Sequence, residues 1–505
     1  MENVENTLKF YKEFKLDAGV FSTFSAEHEL KKYQAKQLLV PISNYTAVLS
    51  NAQSGASIII AGQRGTGKTL LLNQLKQFLP KETIYCFIDD FTDLKKDFQE
   101  NDLYSFLISQ LSNELFKILA NNPETLNLSN LLKEERIFLS FFYQKFVPEV
   151  TKSIHNTNLQ KIQIKLFWRF MSWLDKYMPK IFKTIGLFFE FAYVKAQMGF
   201  NKIIKYTGDF KHEPLIEKYS SVDIDFNQKI DINFNLLIKL VNLCKKIGAK
   251  EIIFSFDRLD EDARLKSDME NLVYFVKTIL SNDKILTSAD FQILFSIWDL
   301  PYNEAKSSIR ESKISFNNLN WRPEELKEAL KNRLFLYSGG SIKSINDIFY
   351  NSVKETDVNS IFETAGNPRD LWHLFKHIIE QQNQINQAVH KIAKKAIKLA
   401  LNKFVLEYNY YEHYPAKNKK LRKNSKGTYD FIGYLVQMNA PVFSATDLST
   451  ILKKNPQTAS NTIKEMEKIG MCIRESASTS GNAAMYKILD PKILYMQKHK
   501  LKLNQ

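Results

Sequence analysis

Glycine and cysteine are scarce in this chain of 505 residues, which has 16 glycines and three cysteines. Cys86, Cys244 and Cys472 lie far apart and lack the short spacing of metal ligands, so neither a disulfide framework nor a metal cluster is expected. No uncharged apolar run reaches the roughly 18 residues that a membrane-spanning helix needs. The charged start of the chain lacks the apolar segment of a secretory signal, so a cytoplasmic location is predicted.

The few glycines cluster in one stretch, where they indicate a backbone that bends tightly around a ligand. Three of them fall in the pattern G-x-x-x-x-G-K-T, between an apolar β-branched run at 57–60 and a helical segment at 70–79. Backbone N–H groups of such a P-loop surround a nucleotide phosphate, Lys68 reaches the β and γ oxygens, and the Thr69 hydroxyl binds Mg²⁺. The residues predicted to bind ATP are Gly62, Gln63, Arg64, Gly65, Thr66, Gly67, Lys68, Thr69 and Leu70.

A second strand supplies the acidic group that a P-loop needs for its metal ion. Asp257 ends an apolar run, and ligands of α/β sheets bind at this end of the strands. Asp257 is predicted to hold Mg²⁺ through water, and either Asp260 or Glu261 to orient the attacking water. Ser296, in a strand-like run at 291–299, either contacts the γ-phosphate or is an ordinary serine at a strand end.

Strand-like runs alternate with helical segments, which predicts an α/β fold with a doubly wound parallel sheet. The runs are 57–60, 83–90, 252–256, 291–299 and 312–321. A plain sheet of this kind needs one helix between its second and third strands, and residues 103–119 can form it. The rest of the stretch to about residue 225 is therefore predicted to be an insertion.

Two segments carry the excess of positive charge, which is +15 for the whole chain. Residues 151–208 hold ten Lys and Arg against two Asp and Glu, and residues 411–505 hold 16 against seven. The first segment has the pattern of amphipathic helices with basic faces. It is interpreted as a helical subdomain on the core, as a surface for oligomerisation or a protein partner, or, least favoured, as a membrane-surface helix.

The C-terminal segment has the pattern of a winged helix, in which three helices precede a β-hairpin. The third helix is predicted at 455–470, with Pro456 in its first turn. In DNA-binding winged helices this helix enters the major groove, where Gln457, Asn461 and Lys464 would face the bases.

A basic linker precedes the predicted winged helix. Its Lys420 and Arg422 are predicted to contact phosphates without sequence preference. The alternative is a winged helix that binds a protein, but the positive charge of the segment favours duplex DNA as the partner.

Five motifs, in this order along the chain, resemble those of AAA+ and STAND-type P-loop ATPases. They are AGQRGTGKT, IIFSFDRLDE, ILFSIWD, LNWRPEELKEALKNRL and GNPRDLW. Within these ATPases the chain resembles the prokaryotic origin-recognition-complex-like group, also in the upstream segment FSTFSAEHELKKYQAKQLLVPISNY. The resemblance covers roughly residues 20–110 and 225–385.

The resemblance implies an ASCE-type P-loop ATPase with an α-helical lid. Arg369, in the segment GNPR, matches the sensor 2 arginine that reaches the γ-phosphate. Arg258 stands where many AAA+ proteins have a glutamate, and the resulting DRLDE is closer to the STAND pattern, which predicts slow hydrolysis. No arginine finger is assigned, and the candidates are Arg310, Arg322 and Arg333.

The sequence therefore predicts lead-in helices at 1–50, a P-loop ATPase core at 51–320 with an insertion at about 120–225, a helical lid at 321–412, and a winged helix at 427–495. The preferred function is an oligomeric switch that binds and hydrolyses ATP with Mg²⁺ and binds duplex DNA. A setting in phage defence or in a mobile element follows from the resemblance alone. The alternative is a STAND-like sensor scaffold that assembles with ATP once a protein ligand binds the insertion.

Overall fold

The computed structural model describes most of the chain outside one long central gap. The described residues are 11–22, 24, 26–38, 40, 43–122, 124–147, 232–262, 264–265, 269–310, 314–386, 391–415, 427–475 and 484–503. The centre of the predicted insertion and the linker residues Lys420 and Arg422 lie outside them. The chain divides into two compact units, which are Met1–Phe78 with Asp257–Lys277 and Phe295–Gln505, and Leu79–Phe256 with Thr278–Leu294.

Five strands form the main sheet of the protein. They are β1 (Ile58–Ala61), β2 (Thr83–Ile88), β3 (Glu251–Phe256), β4 (Gln292–Ile297) and β5 (Ser315–Asn318). The sheet is parallel with the order β2-β3-β4-β1-β5, which confirms the predicted α/β class and its strands. Every residue of β1 and β4 is buried, and strands covered on both faces are accordingly continuous apolar runs in the sequence.

The helices are numbered here along the whole described chain. They are α1 (Ala26–Leu30), α2 (Ala35–Leu38), α3 (Ser43–Gln53), α4 (Lys68–Phe78), α5 (Glu100–Asn121), α6 (Lys133–Phe146), α7 (Ile232–Lys246), α8 (Met269–Leu280), α9 (Asp283–Leu286), α10 (Asp299–Ala305), α11 (Pro323–Tyr337), α12 (Glu355–Ala365), α13 (Pro368–Ile385), α14 (Lys394–Glu407), α15 (Thr428–Val436), α16 (Ala445–Leu452), α17 (Pro456–Lys468) and α18 (Pro491–Lys498).

Strand β4 is shorter than the sequence pattern predicts. The apolar pattern favours an extended chain to residue 299, but the strand ends at Ile297 and α10 begins at Asp299. A carboxylate in the first turn of a helix is stabilised by the positive end of the helix dipole, which explains why Asp299 starts a helix instead of ending a strand. Helix α4 likewise begins at Lys68, two residues before the predicted start at Leu70.

The second unit is built around the helix that the sequence predicted after β2. This helix, α5, packs against β2, α6 and α7. Leu107 and Leu111 of α5 and Leu237 and Leu240 of α7 are all fully buried. Their spacing of three or four residues places each pair on one helix face, so the apolar stripe in the sequence becomes the contact.

The first unit has one continuous hydrophobic core that extends from the predicted lid into the C-terminal helices. It contains Phe375 of α13, Phe404 of α14, Ile432 of α15, Ile463 of α17 and Met496 of α18. Side chains of the predicted lid and of the predicted winged helix therefore stabilise each other directly.

The C-terminal segment contains α15 to α18 and a small antiparallel sheet. Its strands are β6 (Val442–Ser444), β7 (Cys472–Arg474) and β8 (Met485–Ile488), in the order β6-β8-β7. Ser444 caps α16 and Asn455 caps α17, each by accepting a hydrogen bond from a backbone N–H three residues later. The sequence pattern predicted the hairpin of β7 and β8 but missed β6, because three residues are too few for a periodic signal.

A buried polar network joins the start of α13 to the start of α18. Lys492 Nζ lies 2.9 Å from Asp370 Oδ2 and 3.8 Å from Asp490 Oδ1. The Tyr408 hydroxyl donates to the other Asp370 oxygen at 2.8 Å, and the Tyr414 hydroxyl donates to Asp490 at 2.8 Å. The charged members are 3 to 5% exposed, so each charge depends on its partners rather than on water.

Within the described ranges, no helix combines the length and the apolar composition needed to cross a membrane.

Candidate functional site

The loop between β1 and α4 has a backbone shape that requires its glycines. Gly65 and Gly67 have φ of 87° and 91°, a region that residues with a Cβ rarely adopt. A Cβ on Gly65 would lie 2.6 Å from the Cβ of Arg369, and one on Gly67 would lie 2.7 Å from the Tyr45 hydroxyl. Both the backbone conformation and the close contacts therefore exclude larger residues at these two positions.

Lys68 starts α4 with its ammonium turned back over this loop. Its Nζ donates to the carbonyl oxygens of Gly62 and Gln63 at 2.8 and 2.9 Å. Burial lowers the pKa of Lys68, and three nearby carboxylates oppose that shift, those of Asp260, Asp257 and Asp299. A cation in this position, on a loop rich in backbone N–H groups, is suited to bind phosphate oxygens.

Asp257 follows β3 and is 2% exposed. The Thr69 hydroxyl donates to its Oδ2 at 2.6 Å, and the Ser296 hydroxyl donates to its Oδ1 at 2.7 Å. Burial raises the pKa of the Asp257 carboxyl, while these two hydrogen bonds and the charge of Lys68 act in the opposite direction. The structure thus brings together Thr69, Asp257 and Ser296, which lie in three separate segments of the sequence.

Asp260 and Glu261 lie in one turn but have different surroundings. Asp260 accepts from Arg64 Nε at 2.5 Å through its carboxylate and from Arg64 Nη2 at 3.1 Å through its carbonyl oxygen. The Glu261 side chain is 57% exposed, and its Oε2 lies 4.0 Å from Arg258 Nε. Asp260 is therefore bound to the P-loop, whereas Glu261 faces solvent, and the choice between them as the residue that orients water stays open.

Arg369 lies in the first turn of α13. Pro368 is in the first turn of α13, and Asn367 caps the helix by accepting from the Asp370 N–H at 3.0 Å. Arg369 and Asn367 both contact the space beside Gly65. Arg369 also lines the same cavity as Lys68, so two cationic side chains border one space.

The cavity beside the P-loop has a volume of about 280 Å³ and two kinds of lining. The charged part of the lining includes Arg64, Lys68, Asp257, Asp260 and Arg369. The apolar part includes Phe24, Leu38, Val40, Trp321, Leu336 and Trp372. Charged groups suit the phosphates of a nucleotide and apolar side chains suit its base, so the cavity offers both in one place.

The residues of this cavity fit a nucleotide with a magnesium ion. The two glycines form a cradle that a Cβ would fill, and Lys68 and Arg369 would hold phosphate oxygens. Thr69 and Asp257, already joined by a hydrogen bond, offer the hard oxygen ligands that Mg²⁺ prefers. When bound, the ion would supply positive charge that stabilises the negative charge of the phosphoryl group in transfer.

Sequence reasoning missed three residues of this site. Tyr45 and Trp321 both donate to the carbonyl oxygen of Thr66, each at 2.9 Å. Asp299 is half-buried and lies close enough to Lys68 for the lysine charge to lower the pKa of its carboxyl, although desolvation still raises that pKa overall. Each residue lies in a segment that carries the family resemblance. The sequence contains no pattern that would predict contact of residue 45 or 321 with residue 66.

The residues predicted to read DNA lie on one exposed face of α17. Gln457, Asn461 and Lys464 are exposed, whereas Ala459, Thr462, Ile463 and Met466 are buried. The exposed face also carries Glu465, and Lys468 at the end of the helix pairs with Glu304 at 3.0 Å. The predicted phosphate contacts Lys420 and Arg422 lie outside the described residues.

The three candidates for an arginine finger differ in the solvent exposure of their side chains. The Arg333 side chain is 4% exposed, pairs with Glu29, and has its guanidinium 4.4 Å from the centre of the Trp372 ring. An arginine finger that serves another subunit must be exposed, and burial of Arg333 within its own unit disfavours that role. Arg310 is exposed, and so is Arg322, which pairs with Glu325 at 2.8 Å.

Neither a protein-family model nor a curated protein matches the chain. Among solved structures, it is similar to the Aeropyrum pernix Orc1 protein in complex with DNA, at 9% identity and a TM-score of 0.29, over 92% of this chain and 96% of that chain. It is similar to Drosophila ORC bound to DNA at 10% identity and a TM-score of 0.29, over 92% and 90% of the two chains. For Thermotoga maritima RuvB the identity is 12% and the TM-score 0.22, over 50% and 70%. Likeness at this level assigns no activity to the chain.

Proposed function

We propose that the chain is an AAA+-type P-loop ATPase that binds and hydrolyses ATP with Mg²⁺. The observation that carries the proposal is the 2.6 Å hydrogen bond between Thr69 of the P-loop and Asp257 at the end of β3, beside the half-buried Lys68. P-loop ATPases hold Mg²⁺ with a hydroxyl and an acidic side chain in these two places. The glycines that shape the loop and the second cation, Arg369, support the same conclusion.

Each side chain of the site has a separate task in this proposal. Lys68 and Arg369 neutralise the phosphate oxygens as negative charge develops. Asp257 and Thr69 hold the metal ion, and Ser296, bonded to the second oxygen of Asp257, keeps that carboxylate oriented. Asp260 or Glu261 orients the attacking water, and the pairing of Asp260 with Arg64 is consistent with slow turnover.

Replacing Asp257 by asparagine should slow ATP hydrolysis on the order of 100-fold, because the metal site loses the negative charge of this carboxylate. Nucleotide affinity should fall less than the rate of hydrolysis, since Lys68 and the P-loop remain. Phosphate release and nucleotide affinity, measured on the same preparation, check this expectation. Asp93→Asn, an exposed aspartate outside the site, serves as the control and should leave both quantities unchanged. Wild-type turnover in Asp257→Asn would show that another group holds the metal.

We further propose that residues 427–495 form a winged helix that binds duplex DNA and that the protein acts as an oligomer. Support comes from the helices α15 to α17, the small sheet, and the exposed polar face of α17. The surplus of Lys and Arg over Asp and Glu in residues 411–505 is the charge that phosphates attract. A setting in phage defence or a mobile element stays a prediction from the resemblance.

DNA affinity should fall linearly with salt on logarithmic axes, because bound lysines and arginines release counterions. Gln457→Ala, Asn461→Ala and Lys464→Ala, on the helix predicted to enter the major groove, should relax sequence preference by about tenfold. Point variants are the right test, because removing residues 411–505 would expose the shared hydrophobic core and leave Asp370 without Lys492. The exposed Lys395 on α14 offers a lysine-to-alanine control outside α17.

The sensor scaffold remains the second candidate function. The pairing of Asp260 with Arg64, and Arg258 in the place of a glutamate, favour a protein that holds ATP longer than it hydrolyses it. Assembly that depends on ATP but is indifferent to DNA would support this scaffold. Binding of duplex DNA by the wild-type protein, lost in the α17 variants, would support the DNA-binding switch.

A further inference from the structure

The carbonyl oxygen of Thr66, in the middle of the P-loop, accepts hydrogen bonds from two side chains that line the nucleotide cavity but have no assigned contact with the phosphates. The Tyr45 hydroxyl and the Trp321 indole N–H each donate to it at 2.9 Å. Tyr45 is 2% exposed and Thr66 3% exposed. The two aromatic rings meet edge to face with their centres 5.9 Å apart, so each side chain also holds the other in place.

The direction of this carbonyl sets the direction of the next backbone N–H. In a trans peptide the C=O of one residue and the N–H of the next point in opposite directions within one plane. Fixing the Thr66 oxygen toward Tyr45 and Trp321 therefore fixes the N–H of Gly67 away from them. Gly67 lines the cavity beside Lys68, where phosphates would bind.

We propose that Tyr45 and Trp321 are positioning residues that together orient the Gly67 N–H toward the phosphates of a bound nucleotide. This inference rests on the proposed nucleotide binding and adds the means by which the loop is held in a binding shape. Glycine at residue 67, with φ of 91°, has wide backbone freedom, so its peptide needs an external restraint. The restraint comes from two segments far apart in sequence, α3 and the stretch before α11.

The two donors are expected to be partly redundant. With either one removed, the Thr66 oxygen keeps one hydrogen bond and its orientation. With both removed, a buried acceptor loses all of its side-chain partners, and the peptide gains by rotating toward another donor. The fold-loss of ATP affinity in the double variant should therefore exceed the product of the two single fold-losses. This is the result expected of two groups that act on one atom.

The experiment is a titration of ATP and Mg²⁺ against Tyr45→Phe, Trp321→Phe and the double variant. Each single change should weaken affinity about threefold, and the double change about 50-fold. Trp321→His, which keeps a ring N–H, should bind ATP better than Trp321→Phe. Thermal unfolding without nucleotide, measured for every variant, separates loss of orientation from loss of fold.

Tyr410→Phe is the matched control, because the buried Tyr410 hydroxyl also donates to a backbone carbonyl, that of Val405 at 3.1 Å. It should leave ATP affinity unchanged. The inference would be overturned if the fold-loss of ATP affinity in the double variant equalled the product of the single losses. It would also be overturned if Trp321→His bound ATP no better than Trp321→Phe. Should the wild-type protein bind no ATP, the proposed function itself fails. If the wild type binds ATP, Lys68→Ala does not, and the double variant binds normally, only the role of Tyr45 and Trp321 is refuted.

Discussion

ATP affinity should fall by on the order of 100-fold or more when Lys68 is replaced by alanine, since charged hydrogen bonds to phosphate are among the strongest in proteins. The Lys68 ammonium is placed over the P-loop by two carbonyl oxygens and lies among three aspartates. A bound triphosphate would be left facing those carboxylates without that neutralising charge. Calorimetric titration with ATP and Mg²⁺ measures the effect directly.

Two further variants separate the charge from other consequences of this change. Lys68→Met keeps most of the side-chain volume and removes the charge with its N–H donors, so it should lose ATP affinity as Lys68→Ala does. Lys76→Ala removes an exposed lysine from the same helix, α4, and should bind ATP like the wild type. Affinity within about threefold of the wild type in Lys68→Met would contradict the P-loop assignment.

Replacing Lys492 by methionine should lower the free energy of unfolding by about 3–5 kcal/mol, because it removes the ammonium group beside the buried Asp370 carboxylate, whose other neighbours are the Tyr408 hydroxyl and the His413 ring. Lys492 and Asp370 are each 3% exposed, with their charged atoms 2.9 Å apart. Urea unfolding at neutral pH gives the measurement. The double variant Asp370→Asn with Lys492→Met should recover much of the loss, because both charges are then gone.

An exposed ion pair gives the contrast for this prediction. Lys468 pairs with Glu304 at 3.0 Å, but its side chain is 63% exposed. Lys468→Met should therefore change stability by less than about 1 kcal/mol. A loss in Lys492→Met no larger than in Lys468→Met would show that Asp370 is stabilised by other groups.

The stabilising effect of the buried pair has a defined pH range. Burial alone would raise the pKa of Asp370, but the charge of Lys492 holds that pKa well below its ordinary value. Its contribution is thus present above the ordinary aspartate pKa of about 3.9 and is lost only in stronger acid. Asp370 and Asp490 raise the pKa of Lys492 despite burial. The contribution of Lys492 to stability is therefore fully present below about pH 10.5 and is lost only as the pH rises further.

Local signals in the sequence predicted local structure well. The apolar runs gave the strands because all of β1 and β4 is buried. The start of α17 at Asn455 was predictable because a capping side chain acts within three residues of itself. The P-loop pattern stood out because its glycines, lysine and threonine are adjacent in the chain.

Contacts between distant segments left no comparable signal. Tyr45 is 21 residues and Trp321 255 residues from the Thr66 oxygen that both contact. Arg258 adopts φ of 59° after β3, and nothing in the sequence marks a non-glycine residue for that conformation. The pairing of Arg64 with Asp260 joins two predicted site residues, but only the folded chain shows that they restrain each other.

The Asp370–Lys492 pair also sets an order of events during protein synthesis. The two residues are 122 positions apart, and Asp370 follows directly on Arg369 of the nucleotide cavity. At ordinary rates of translation the ribosome needs about 6 to 24 s to add the intervening chain. Throughout that interval the aspartate beside Arg369 has no lysine to neutralise it. The P-loop and the start of α13 are therefore synthesised well before Lys492 is available to neutralise Asp370.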